Sequence, residues 1–150
     1  MNRAARSIEL RERGRPVRVA VRDPASWTPD RDGLASPVAF DFLRPETWPA
    51  AFAGIERLFL VRPPAISDTK AHVNPAIDAA RAAGVRQVVL LSLLGAEKNP
   101  ILPHRTIEQH LERVGPAWTF LRAGFFMQNL STTHRAEIRD RGEIVVPAGG

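Results

Sequence analysis

VRQVVLLS, residues 85–92, is an extended run whose apolar side chains fall on both parities of the chain. A strand with one wet face alternates apolar and polar residues. A strand covered on both faces reads as a near-continuous apolar run, which is the pattern of a parallel sheet sandwiched by helices. Upstream, RLFLVRPP at 57–64 repeats it, with Leu58 to Val61 stopped by Pro63 and Pro64. Downstream, AWTFLR at 117–122 predicts another strand. Helical segments at 73–83 and 104–113 separate the three, closed by Gly84 and Gly115.

Farther out the alternation continues. Val17, Val19 and Val21 predict a short strand ending at Arg22, and Val38 to Phe42 another. A helix is expected over 44–52, with Pro45 suited to its first turn. Residues 25–36 are polar and broken by glycine and proline, which suits a loop or a short irregular helix. The ends predict a helix over 2–13 closed by Gly14, a partly helical stretch over 125–141 closed by Gly142, and a short strand at 143–146. Strand and helix alternate throughout, so the expected fold is α/β, a doubly wound parallel sheet in three layers formed by one domain spanning 1–150. One antiparallel pair of neighbours among the strands at 17–22, 57–62, 86–92 and 117–122 would defeat that assignment.

Composition narrows the function. Of the 150 residues 44% are hydrophobic and 25% charged, which is ordinary for a globular protein. No apolar run approaches the roughly 20 residues of a membrane helix. The first residues lack the apolar core of a secretory signal, so the expected location is the cytoplasm. Cysteine is absent, which excludes thiolate catalysis and cysteine-based zinc sites, and no metal ligand set is expected. The net charge of +5 invites a nucleic-acid partner. However, the arginines are scattered and few aromatics interleave with them, so no nucleic acid is expected.

In open parallel sheets, ligands bind beyond the carboxyl ends of the strands. Those ends are Arg22, Asp41, Arg62 to Pro64, Ser92 to Ala96, and Arg122 to Phe126. The segments GRPVRVAVRDP, FDF, RLFLVRPP, AARAAGVRQVVLLSLLGA and HRTIEQHLERVGPAWTFLRAGFFMQNL resemble the NmrA-like branch of the atypical short-chain dehydrogenases, from about Leu10 to Gly150. That branch includes NADPH-dependent quinone and azo-dye reductases and redox-sensing regulators. The resemblance implies a Rossmann-like NAD(P)-binding domain and a small quinone- or dye-like substrate.

It also implies roles for single residues. A guanidinium at Arg22 would clamp the 2′-phosphate of NADP and favour it over NAD, unless Arg22 is a surface residue paired with Asp23. Asp41 would accept from the adenine amino group, or else cap a turn before Pro45. Val61, Pro63 and Pro64 would line the adenosine side, or form only a stiff turn. Ser92 and Gly95, at the end of the fourth strand, would contact the cofactor. So would the loop of Phe125 and Phe126, with Asn129 fixing local backbone, although both phenylalanines also suit a core. His104 and Glu108 lie one helical turn apart and match the His and Glu of a helix beside the substrate cleft, or form an ordinary surface pair. With Ser92 they are the catalytic candidates. The sequence contains no tyrosine, so a Tyr-x-x-x-Lys proton donor is excluded. The cofactor must carry the chemistry, with the substrate protonated by water or another group.

The same family joins its first strand to its first helix by G-x-x-G-x-x-G, which lays the pyrophosphate on a helix N-terminus. No such spacing occurs among the ten glycines of this chain. Aligned back from Gly14, the third glycine would fall on Arg3, and the paired apolar positions of that helix on Arg6 and Ser7. The expected domain therefore lacks the first strand and the glycine-rich loop, and reads as truncated at both ends. Three functions remain open: an NADPH-dependent reductase, a non-catalytic NADP-sensing regulator acting through protein contact, or a nonfunctional fragment.

Overall fold

A computed structural model describes residues 13–28, 33–124 and 128–144. Five strands are present: β1 (Val17–Val21), β2 (Ala35–Ala39), β3 (Arg57–Val61), β4 (Gln87–Leu93) and β5 (Ala117–Ala123). The described helices are α1 (Trp48–Phe52), α2 (Thr69–His72), α3 (Asn74–Ala82), α4 (Pro103–Val114), α5 (Gln128–Ser131) and α6 (Arg135–Arg141), with short 3-10 turns at Pro24–Ser26, Pro45–Thr47 and Ala96–Lys98.

All strand neighbours are parallel, as the apolar runs require. β1 pairs with β2, Val17 opposite Ala35. β3 pairs with β4, Arg57 opposite Gln87, and β4 pairs with β5, Gln87 opposite Ala117. These form two sheets, of two and three strands. Among the described residues no ladder joins β1 to β3.

β4 is the centre of the larger sheet. Val88, Leu90 and Ser92 alternate along it and are fully buried. Against them α3 sets Val73, Ala76, Ile77 and Ala80, and α4 sets Ile107 and Leu111, all fully or almost fully enclosed. Those positions keep the i, i+3, i+4, i+7 spacing of one helix face. Each buried Leu or Ile contributes about 1.5–3 kcal/mol by leaving water. On the opposite face Phe59, Val61 and Leu121 stay more than a third exposed.

The smaller sheet is tied on by side chains. Arg18 of β1 donates from Nη1 to the carbonyls of Ala50, Ala51 and Ala53, at 3.3, 3.2 and 2.7 Å, and so satisfies the last turn of α1. Phe40 packs edge-on against Phe42 and Phe52, with centroids 4.9 and 5.5 Å apart.

Several expected boundaries shift. β2 occupies Ala35–Ala39, not 38–42, and contains Pro37. β2 pairs with β1 alone, and an outer strand tolerates a residue without an N–H. The apolar Phe40 and Phe42, which drew the expected strand C-terminal, enter the core after it ends. The helix expected over 73–83 begins early, as α2, because the Asp68 carboxylate accepts from the Ala71 N–H at 3.0 Å. Residues 143 and 144 are not in a strand, and 145–146 lie outside the described residues. So does the expected helix over 2–13, apart from its last residue.

Candidate functional site

Parallel pairing sets the ends of β1 and β2 side by side, and those of β3, β4 and β5 side by side, and the expected site residues fall into two clusters at these ends. The first joins the ends of β1 and β2. Asp23 does not hold Arg22. Its carboxylate accepts from the Ala25 N–H at 3.0 Å and opens the 3-10 turn at Pro24–Ser26. Arg22 instead approaches Asp41, Nε to Oδ2 at 3.8 Å, with three-quarters of its side chain in solvent. Asp41 is fixed from several directions. Its Oδ1 accepts from the Leu43 N–H at 2.9 Å, its carbonyl from the Trp48 indole at 2.8 Å, and its N–H donates to Thr47 Oγ1 at 3.1 Å. Asp41 thus forms the turn, one of the two roles the sequence left open for it, and it also faces Arg22, a pairing the sequence reading did not include.

The second cluster joins β4, β5 and α4. On α4 the buried residues are His104, Ile107, Glu108, His110 and Leu111, so three titratable groups are enclosed, two of them, His104 and Glu108, on the stripe shared with Ile107 and Leu111. Glu108 has no exposed surface. It accepts from Ser92 Oγ at 2.7 Å, from Nε and Nη2 of Arg122 at 3.0 Å each, and from Nη1 of Arg105 at 3.0 Å. Burial pushes its pKa up, but the hydrogen bonds from Arg122, Ser92 and Arg105 outweigh that and hold it below the ordinary carboxylate value. Glu108 is therefore an anion with its acceptors engaged, and the Ser92 hydroxyl proton is committed to it. Arg122 continues outward to Glu97, Nη1 to Oε2 at 3.4 Å.

His104 and Glu108 are not an exposed i,i+4 pair, because both are buried and the carboxylate is taken by other partners. Burial lowers the His104 pKa, the nearby Arg62 charge lowers it further, and Glu108 opposes in part. The imidazole is neutral at pH 7.

Between the clusters, Arg62 ties the turn after β3. Its Nη1 donates to the carbonyls of Pro63 and Pro64, at 3.0 and 3.2 Å, and to that of Ile66 at 2.6 Å. Pro63 and Pro64 thus sit in a latched turn, with Val61 partly exposed before it. The Nε of Arg62 is buried with no partner among the described residues. Gly95 takes φ +80, a conformation side chains disfavour, and starts the turn at Ala96–Lys98. Among the described residues a Cβ at Gly124 would meet only Leu94 Cδ2, at 3.9 Å, an ordinary van der Waals contact. Phe125 and Phe126 lie outside the described residues. The Asn129 carbonyl accepts from the N–H groups of His134, at 2.8 Å, and Thr132, at 3.4 Å.

Sequence reasoning marked Arg122 only as a strand end and did not single out Arg105. Its available signal was the spacing 104, 107, 108, 111, which turns Glu108 toward the sheet and requires a cation opposite it.

Two shallow cavities accompany these clusters. The larger, about 510 Å³, lies by Glu56, Arg57, Arg86, Gln87 and Ala117 at the amino ends of the strands. The smaller, about 190 Å³, lies between Ser67–Lys70 and Ile101–Thr106. Ligand sites of open α/β sheets lie at the carboxyl edge, so the larger cavity is set aside. Among the described residues no cluster of three or more His, Asp or Glu is placed to hold a metal. None of the described helices is long and apolar enough to cross a membrane.

The donor set fits one end of a dinucleotide. An exposed guanidinium beside a fixed carboxylate offers a cation for a phosphate and an acceptor for an amino group.

Comparison with known proteins identifies the family. Residues 5–147 match the model of a family described as NAD(P)H-binding. The chain is 35% identical over 144 residues to the NAD(P)H azoreductase of Xenophilus azovorans, covering 93% of this chain and 50% of that protein. It is 32% identical over 145 residues to prestalk A differentiation protein A of Dictyostelium discoideum, covering 96% and 47%. An NADPH-dependent quinone oxidoreductase of Escherichia coli, solved with NADPH, superposes with a TM-score of 0.71 at 25% identity, covering 88% of this chain and 49% of that one. The chain spans about half the length of the curated relatives it matches.

Proposed function

The chain belongs to the NAD(P)H-binding family, in its NmrA-like reductase branch, and from that premise we propose that it is the nucleotide-binding part of an oxidoreductase that reduces a quinone- or azo-type acceptor with NADPH. The observation that carries this is the pairing of Arg22 with Asp41 at the carboxyl edge, with the guanidinium largely in solvent.

In this reading Arg22 holds the 2′-phosphate and selects NADP over NAD, and Asp41 accepts from the adenine amino group. Val61, Pro63 and Pro64 line the ribose side, on a turn that Arg62 fixes. Gly95 borders the nicotinamide side. The bound cofactor supplies the hydride. Neither Glu108, a fully engaged anion, nor Ser92, whose proton it holds, is free to protonate an acceptor. His104 is neutral and nine-tenths buried. Quinone and azo acceptors need little acid help, and water at the open edge provides the proton. The acceptor is a small molecule reached from solvent.

The test separates the two ends of the cofactor. Adenosine 2′,5′-bisphosphate and adenosine 5′-monophosphate are titrated calorimetrically into the chain. The bisphosphate is expected to bind tighter, and equal affinity would remove the NADP assignment. Whole NADPH is expected to bind the 150-residue chain only in the millimolar range. These residues contain no G-x-x-G-x-x-G, and each lost charge-assisted bond to the pyrophosphate removes about 1.5–3 kcal/mol. A micromolar ligand has about 8 kcal/mol of binding free energy in all. Low-micromolar NADPH affinity would show that another segment supplies the cradle.

A further inference from the structure

The hollow at the amino ends of β3, β4 and β5 plays no part in the nucleotide reading, and strand register builds it. Arg57 lies opposite Gln87, and Gln87 opposite Ala117, so these three residues form one row across the sheet. Phe59 and Val61 follow Arg57 at intervals of two, which puts the row on the face opposite α3 and α4. Ala117 brings only a methyl group to the row. There the hollow of about 510 Å³ opens, bounded also by Glu56 and Arg86, and its volume suits a small molecule. Its backbone is fixed. The Glu56 carbonyl accepts from the N–H groups of Arg86 and Gln87, at 2.8 and 3.1 Å, and the Arg86 carbonyl accepts from the Ala117 N–H at 3.0 Å. The three strand starts are thereby held to one another.

The charges around it do not cancel. Arg86 holds the Glu56 carboxylate through Nη2, which neutralises the one acidic group of the lining. Arg57 makes no hydrogen bond or ion pair among the described residues, whereas Arg44, Arg105 and Arg122 each hold a carboxylate. Two guanidiniums and one carboxylate leave the hollow with one positive charge in excess. Gln87, half-buried between Arg57 and Ala117, adds an amide that can donate.

We propose that this hollow is a second ligand site, at the amino edge of the larger sheet, which takes a small molecule by a carboxylate or phosphate group on Arg57, with Gln87 and Arg86 as supporting donors. A guanidinium receives either group through two parallel N–H bonds, in a way that no other side chain of the lining can. The anion cancels the excess charge, and Ala117 leaves room for the body of the molecule. The site is independent of Arg22 and Asp41, so it stands whether or not the chain prefers the adenosine bisphosphate.

The test uses the whole chain at low ionic strength. Inorganic phosphate and succinate are titrated separately, and amide NMR follows residues 56, 57, 86, 87 and 117 one by one, apart from any response around Arg22. Saturable shifts at these amides are expected in the millimolar range. The probe that binds tighter names the group, and equal affinities mean that the site takes either. Arg57→Ala is expected to weaken binding here at least about tenfold, as for a lost charge-assisted bond, and to leave any response around Arg22 unchanged. Arg57 is exposed and bonds no described residue, so thermal melting of the variant should match wild type. Arg44→Ala removes an equal charge from an arginine already paired with Glu46 and should change nothing at these amides. Three results would overturn the site: no saturable shift with either probe, binding that persists in Arg57→Ala, or equal weakening in Arg57→Ala and Arg44→Ala, which is the mark of general charge screening.

Discussion

At the ends of β4 and β5, a carboxylate with no exposed surface receives four hydrogen bonds from a serine and two arginines, whereas at the ends of β1 and β2 an arginine and a carboxylate face each other at 3.8 Å in the open. The two clusters use the same residue types for opposite ends. In the first, the groups satisfy one another and leave little for a ligand, so they set geometry. In the second, the guanidinium keeps most of its donors in water, so it can exchange them for a phosphate. Charged residues at a strand end thus divide into those that build the edge and those that use it, and burial of the partner decides which.

The largest expected effect breaks this contrast from the inside. Glu108→Ala leaves Arg122 and Arg105 without their enclosed partner. It should lower the free energy of unfolding by about 3 kcal/mol, the low end for a broken buried pair because Arg122 keeps about a third of its side chain in solvent. Asp41→Ala should cost about 1–2 kcal/mol, through an exposed ion pair worth little and the turn bond from the Leu43 N–H. Urea unfolding of both variants compares them directly, and similar losses would mean that the clusters do not differ as described.

Ligand binding should show the reverse ranking. Arg22→Ala is expected to weaken adenosine 2′,5′-bisphosphate by about 1.5–3 kcal/mol, as for a lost charge-assisted bond, and to leave adenosine 5′-monophosphate nearly unchanged. Equal weakening of both nucleotides in calorimetry would take Arg22 away from the 2′-phosphate.

The contrast was legible in the sequence only in part. The parallel sheet followed from the apolar runs at 57–64 and 85–92, because a strand covered on both faces has a composition that little else imitates. β2 was misplaced by three residues because Phe40 and Phe42 look like strand residues but pack as loop anchors on α1. Arg22 and Asp41 were marked because strand ends can be counted along a chain, and their nucleotide roles came from the family resemblance alone. The grip of Arg122 on Glu108 was not found, since it joins residues fourteen apart across a helix–strand crossing. That crossing is set by tertiary packing: the spacing on α4 turns Glu108 inward and calls for a cation, but does not say which one.

Acid should act on the two clusters in different windows. Glu108 has a folded pKa below its ordinary value of 4.5. Its stabilisation is complete above that value and is lost as pH falls through the folded pKa. The β4–β5 cluster should therefore melt sharply at low pH, and Glu108→Gln should flatten unfolding free energy against pH below about 4.5. A slope unchanged in that variant would place the acid sensitivity elsewhere.

The smallest expected effect lies just above that window and belongs to His104. Its folded pKa is depressed below 6.5, first by burial and then by the Arg62 charge, with Glu108 working against both. A base with a depressed folded pKa binds fewer protons folded than unfolded. Stability is then full above about 6.5 and declines as pH falls toward the folded pKa, below which the lost amount stays constant. Because Glu108 offsets part of the shift, the decline should be shallow. His104→Asn removes the titration without introducing a charge. The difference between wild type and variant should therefore vary as pH falls below about 6.5, and be flat above. A difference that is flat through this range would mean that the imidazole titrates alike in the folded and unfolded chain. The burial of His104 beside Arg62 would then have no energetic consequence.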